Sequence, residues 1–409
     1  MIVRFCAFLL CLAVSAGAAG AEPARQWVEF AADGALSVRA VIAPDAACPP
    51  VTADGAAVAM APRGMPDGAF PVQVCEARVL AATARLAIAG AALPTLPASV
   101  RRIAVIGDTG CRIDARNVQD CHDPVAWPFA AIARAAAAKR PDLVIHVGDY
   151  YYRERACPPD RTGCAGSPHG DNWPTWQADF FDPAAALLAA APWVMVRGNH
   201  ELCRRGGKGW FRLLDPYPAR ADCVDRTEPY LLSLGGLELL LFDSADADDF
   251  LAPPEKVAFY AGQFAPFLAS APPRSWLLTH RPVWATAQGD LSGLTTNLTL
   301  QGAIRGLIPP ALDLVLSGHL HDFILYDFGP ERPAQLIVGT GGDKLLPLGR
   351  DPLVGAEIDG ATVRRGFASA QFGYLIMERS AGGWDGIFYS PDDAVLARCR
   401  IAGRDADCR

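Results

Sequence analysis

The chain has 409 residues, 51% of them apolar and 20% charged, with a net charge of -7. This excludes disorder as the main state, which would need low hydrophobicity or a high net charge. The acidic balance also argues against general nucleic-acid binding, which needs a concentrated positive field, and the length allows two or three domains or one large one.

In chain order, residues 1–21 carry one early charge at Arg4, an apolar run over 5–14 and the small residues Ala19-Gly20-Ala21. That pattern predicts a cleaved export signal, since the apolar run is about half the ~20 residues a spanning helix needs. Residues 22–100 read as a small N-terminal all-β domain: 27–30 and 36–42 alternate or are β-branched, and Asp33-Gly34 and Asp54-Gly55 mark turns. A stretch with Pro94 and Pro97 then leads to a second domain, 101–409. There, strands are expected at 103–106, 143–147, 193–196, 230–234, 237–242, 276–279, 314–316, 336–338 and 374–377. Helices are expected at 125–139, 174–190, 255–270 and 298–308. Strand–helix alternation argues for an α/β domain with mostly parallel strands and helices on the faces. Such sheets carry ligand chemistry at the carboxyl ends of their strands.

Of twelve cysteines, Cys6 and Cys11 fall in the signal, and the remaining even number in an exported chain favours disulfides. Proximity pairs Cys48 with Cys75, Cys111 with Cys121, Cys157 with Cys164, Cys203 with Cys223 and Cys399 with Cys408. No CxxC is present, which argues against a thioredoxin-type or zinc-ribbon role.

The chemistry lies just past five expected strands: Gly107-Asp108-Thr109-Gly110, Gly148-Asp149-Tyr150-Tyr151-Tyr152, Gly198-Asn199-His200-Glu201, His280, and Gly318-His319-Leu320-His321. In a parallel sheet those ends share one rim. Singly, each fits a helix cap or an ordinary surface histidine; together, carboxylates, imidazoles, an amide and a phenol point to metal. Oxygen and imidazole donors without thiolate suit iron, manganese or zinc. Two ions need about eight ligand positions with one carboxylate bridging, and the reaction class is hydrolysis through a metal-bound hydroxide.

The order GD, GD, GNH, H, GHxH over about 101–380 resembles the calcineurin-like metallophosphoesterase superfamily and is most similar to its purple acid phosphatase-type members. Asp108-Thr109-Gly110 stands where most of the superfamily has Asp-x-His, Tyr152 completes GDxxY, and Leu277 replaces the valine of VxxH. The resemblance implies a β-sandwich core flanked by helices (αββα). Asp108, Asp149, Tyr152 and His321 would hold a first metal, Fe(III). Asp149 would bridge to a second, divalent Fe, Zn or Mn, on Asn199, His280 and His319. His200 would orient the phosphate or protonate the leaving group, with Glu201 a candidate to fix its ring. Arg153 is the first candidate for substrate phosphate, with Arg155, Arg204, Arg205 and Lys208 as further candidates, and solvated surface charge is the alternative reading of each. The loops 153–172 and 202–228, each with two cysteines, would wall the rim. The implied activity is phosphomonoester hydrolysis on a small phosphorylated substrate, without nucleic acid or a membrane anchor. Phosphodiesterase or nucleotidase activity on the same site is the nearest alternative, and a non-catalytic metal- or partner-binding domain a more distant one.

Overall fold

The computed structural model describes residues 25–287, 294–349 and 352–409. The export signal expected at 1–21 lies outside the described residues. Two large sheets dominate. The first has eleven strands, in the order Asp405–Cys408, Val395–Ala402, Gly383–Tyr389, Tyr374–Ser380, Arg102–Ile106, Leu143–His146, Trp193–Met195, Arg25–Phe30, Leu36–Ile42, Gln73–Val79 and Ala61–Gly64. The second has seven, with Glu238–Leu241, Ser275–Leu278, Leu312–Ser317 and Ala334–Val338 parallel at its centre.

The central strands are nearly continuous apolar runs because both faces are covered. In Arg102–Ile106, Ile103 and Val105 join the core shared with the second sheet, where they meet Leu239, Leu278, Leu314 and Leu316. Ala104 and Ile106 point the other way, onto Phe129, Ile132, Ala133 and Ala136 of the helix Phe129–Ala138. That helix forms from an alanine-rich segment of high propensity whose buried positions recur at helical spacing. On the far side, Leu277, Val315 and Ile337 pack on Tyr260, Phe264 and Leu268 of Pro254–Ala269 and on Leu300 and Ile304 of Leu298–Ile304. The layers are therefore helix, sheet, sheet, helix, as expected.

The N-terminal region is all β. Its strand Arg25–Phe30 pairs in parallel with Trp193–Met195, so the region extends the first sheet, while four short strands form a separate small sheet. The change near residue 100 is one of strand pattern, with hydrogen bonding carried across it by the sheet.

Three other features depart from expectation. The helix expected at 174–190 is interrupted by a π turn, Gln177–Phe181, after Asn172 caps its start by accepting from the Thr175 amide. A helix at Gly207–Leu213 was hidden by two glycines of poor helix propensity. Beyond Tyr374–Ser380, three further antiparallel strands complete the C-terminus; Ala397, Cys399 and Ile401 alternate inward there. All five disulfides are those expected from proximity. No helix among the described residues is long and apolar enough to cross a membrane.

Candidate metal centre

Parallel registry places the strand ends together. Ile106 pairs with His146 and His146 with Met195 in the first sheet, and Leu278 with Leu316 in the second. The loops that follow turn sharply: Asp108, Asp149 and His319 all have positive φ, of 56°, 59° and 72°. Such backbone is costly for residues with a Cβ and persists where the surroundings dictate it, typically at functional sites. Gly148 (φ 102°) and Gly198 leave the space: a Cβ would come within 2.4 Å of the His280 ring and 2.1 Å of the Asp149 carboxylate.

The seven expected ligands converge in two groups. Tyr152 Oη lies 3.0 Å from Asp108 Oδ1, 2.9 Å from Asp149 Oδ2 and 3.1 Å from His321 Nε2. His321 Nδ1 must carry a proton, because it faces the Lys344 carbonyl at 2.9 Å, so a neutral ring presents a lone pair at Nε2. One phenolic proton cannot serve three acceptors. In the second group, His280 Nδ1 donates to the Val147 carbonyl at 2.8 Å, so its Nε2 lone pair faces Asp149 Oδ2 at 3.1 Å and Asn199 Oδ1 at 3.2 Å. His319 completes it: it, His280 and Asp149 each offer a ligand atom, all within 4.8 Å of one another. Buried acceptors aimed at one another are expensive unless a cation lies between them. The donor set thus fits metal binding, and Asp149 Oδ2 belongs to both groups.

The electrostatics agree. Burial, and then the Asp149 charge, push Asp108 well above the usual carboxylate range. Asp149 is also buried, but the charged forms of the neighbouring His280 and His200 rings, with the His200 amide, hold it well below that range. Burial, reinforced by Asp108 and Asp149, raises the Tyr152 phenol well above its ordinary value. Burial also pulls His200 and His319 down to about 4, so both rings are neutral near pH 7. A cation would reverse the penalty on the acids and the phenol at once.

Around this centre stand residues the motifs did not reveal. Asp249 accepts from His319 at Nε2 (3.0 Å) and from Arg281 (2.6 Å), the carboxylate–imidazole arrangement that orients metal-binding histidines. Asp343, 3.2 Å from His321 Nδ1, also pairs with Arg112, whose guanidinium lies 4.7 Å from the Tyr152 ring centre. Ser244 Oγ accepts from the amides of His280 and Arg281. Asp343 and Ser244 were detectable, since each follows a strand, Ala334–Val338 or Glu238–Leu241, as the five motifs do. Asp249 and Glu154 had no such signal.

The His200 ring lies against Tyr152, tilted by 41° with ring centres 3.8 Å apart, and its Nε2 is 3.9 Å from Asp149 Oδ2. Its Nδ1 meets Glu154 at 3.0 Å, and Arg205 Nη2 lies 2.7–2.8 Å from both ring nitrogens. Glu201, the carboxylate expected to hold this ring, instead accepts from the amides of Gly198, Asp149, Tyr150 and Tyr151, because the turn Asn199–Glu201 points it into the neighbouring loop. Arg153 is buried: its Nε donates to Asp179 at 2.7 Å, and Asp179, on the π turn, also accepts from the amides of Cys111 and Tyr152. That pair bolts the Asp108 and Tyr152 loops together. Among the described residues, the arginine beside His200 is Arg205. His146 is buried and stacked on Tyr150, and His169 is exposed in its loop.

No curated protein matches the chain. Among solved structures, purple acid phosphatase PPD1 from yellow lupin (Lupinus luteus) seeds is similar at a TM-score of 0.60 and 14% identity, over 95% of this chain and 75% of that one. PhoD aligns at 0.49 and 12% over 95% and 91%, and GAP50 of Plasmodium at 0.45 and 15% over 75% and 90%. The yellow lupin likeness is one of fold. The sequence profile of calcineurin-like phosphoesterases matches residues 101–323, more than half the chain and all five motifs. The chain belongs to the calcineurin-like phosphoesterase family.

Proposed function

We propose that this protein is an exported phosphomonoesterase with two metal ions. The family's metal-dependent phosphoester chemistry and the purple acid phosphatase fold support that reading. Its main support is the pair of acceptor clusters, on Tyr152 Oη and on His280 Nε2, in which buried lone pairs face one another with too few protons to satisfy them. Asp108, Asp149, Tyr152 and His321 would hold Fe(III), and Asp149, Asn199, His280 and His319 a divalent Fe, Zn or Mn. Ions held there would supply positive charge for the phosphoryl oxygens and a lowered pKa for a nucleophilic water.

The remaining work falls to the chain. Glu154 orients the His200 ring by accepting at Nδ1, which turns Nε2 toward the Asp149 side; only the imidazolium form, which the Glu154 contact favours, would hold a proton there for a leaving oxygen. Glu201 and Asp179 hold the loops so that the ligands need no rearrangement on binding. Export is supported by the five disulfides.

The test is turnover of an aryl phosphomonoester and the matching diester by oxidatively folded protein of known metal content. Faster monoester cleavage is expected. A faster diester would move the assignment to a phosphodiesterase or nucleotidase, and no turnover of either with two metals bound would reject catalysis. Iron-loaded, oxidised protein should absorb visible light through phenolate charge transfer, and Tyr152→Phe should bleach it; a colourless iron-loaded wild type would remove Tyr152 from the ligand set.

A further inference from the structure

The geometry points to Arg205 as the residue that selects dianionic phosphomonoesters over diesters, an assignment that rests on the phosphoesterase reading of the same site. Its Nε pairs with Glu154, and its Nη1 lies 3.4 Å from the Asn199 carbonyl. Among the described residues Nη2 meets no oxygen, only the two nitrogens of His200. A guanidinium has five N–H donors and binds phosphoryl oxygens in pairs, so Arg205 has donors to spare at the ring that also neighbours Asp149.

Charge accounting singles it out. Arg112 lies between two acids, Asp114 and Asp343; Arg153 is sealed against Asp179; Arg281 lies behind His319 against Asp249. Arg205 has Glu154, and Glu154 is shared with the His200 ring.

The backbone that carries the guanidinium is also held in place. The Arg205 amide donates to the Leu202 carbonyl and the Gly206 amide to the His200 carbonyl, each at 2.8 Å. Two residues earlier, Cys203 is tied to Cys223, and its amide donates to Asp225. Arg205 keeps 22% of its side chain exposed, enough for an incoming ester to reach.

The selectivity follows from the substrates. A monoester loses its second proton near pH 6 and then carries roughly two charges over three terminal oxygens. A diester carries one charge, and its third oxygen is esterified. A fixed cation beside the metal ligands therefore gains a charged acceptor from the monoester and little from the diester.

The experiment compares metal-loaded wild type with Arg205→Met and Arg205→Lys. Calorimetry with inorganic phosphate reads binding, and kcat/KM on the aryl monoester and diester reads selectivity, at verified metal content. Arg205→Met is expected to weaken phosphate binding by roughly 10–100-fold, the range for one charge-assisted hydrogen bond. The monoester kcat/KM should fall similarly, mainly through KM, with the diester changed by less than about threefold, and lysine should restore part of the phosphate affinity by its charge. Phosphate affinity within about twofold of wild type, or an equal fall for both esters, would overturn the assignment. If wild type cleaves neither ester while Arg205→Met still loses phosphate affinity, the enzymatic reading fails and the anion site at Arg205 stands.

Discussion

Deep beneath the strand Leu36–Ile42, the buried Arg39 guanidinium pairs with Glu29 at 2.8 Å and donates to the carbonyls of Leu213 and Asp215 and to Ser37 Oγ. Arg63 beside it donates to Glu76 and to the carbonyls of Tyr217 and Asp215. Past the strand ends of the two sheets, Asp108, Asp149, Tyr152, His280 and His321 are also withdrawn from water, yet acceptor faces acceptor. The first cluster pairs opposite charges within the protein and fastens the N-terminal strands to the segment that follows Gly207–Leu213. The second leaves acceptors facing one another, which the proposed cations would satisfy. Burial alone does not distinguish structure from function here; the sign of what is left over does.

The sharpest way to break this contrast is Asp149→Asn, which replaces the bridging carboxylate by a neutral amide. It should empty the centre and cut phosphatase kcat/KM on the order of 10⁴-fold, read by metal content and turnover together. Metal should raise the thermal midpoint of wild type but not of this variant. Next, Arg39→Met should cost about 3–5 kcal/mol in denaturant unfolding, because Glu29 stays buried without its partner, with metal content per folded molecule unchanged. Loss of metal without loss of stability would merge the two clusters into one. Glu201→Gln lies between them, since its carboxylate is satisfied by backbone amides; it should cost about 2–3 kcal/mol and lower metal affinity by loosening both loops. The smallest effect is expected for Asp249→Asn, roughly 10–100-fold in affinity for the second metal with little change in stability. Equal loss of both metals in that variant would show that Asp249 shapes the centre as a whole.

All seven proposed metal ligands were readable as a set because each stands a few residues past the end of an apolar strand; that these strands divide between two sheets was not. The disulfides were equally readable, since each joins near neighbours in sequence. His200 was readable as a residue but not its setting: Glu154 reaches it from a different loop, and Glu201, adjacent in sequence, turns away. The π turn carrying Asp179 interrupts a segment that reads as an ordinary helix, so the anchoring of Arg153 could not be anticipated.

By itself, the sequence of this protein determined which strands exist at the centre, which side chains follow them and the class of metal they suit. Strand period and strand-end position are local properties, written within a few residues. Only the tertiary structure decided that Arg25–Phe30 joins the catalytic sheet, that Asp249 and Asp343 face the histidines, and that Arg205 rather than Arg153 reaches the His200 ring. Those outcomes depend on sheet register and on the paths of loops, where residues distant along the chain compete for the same buried donor.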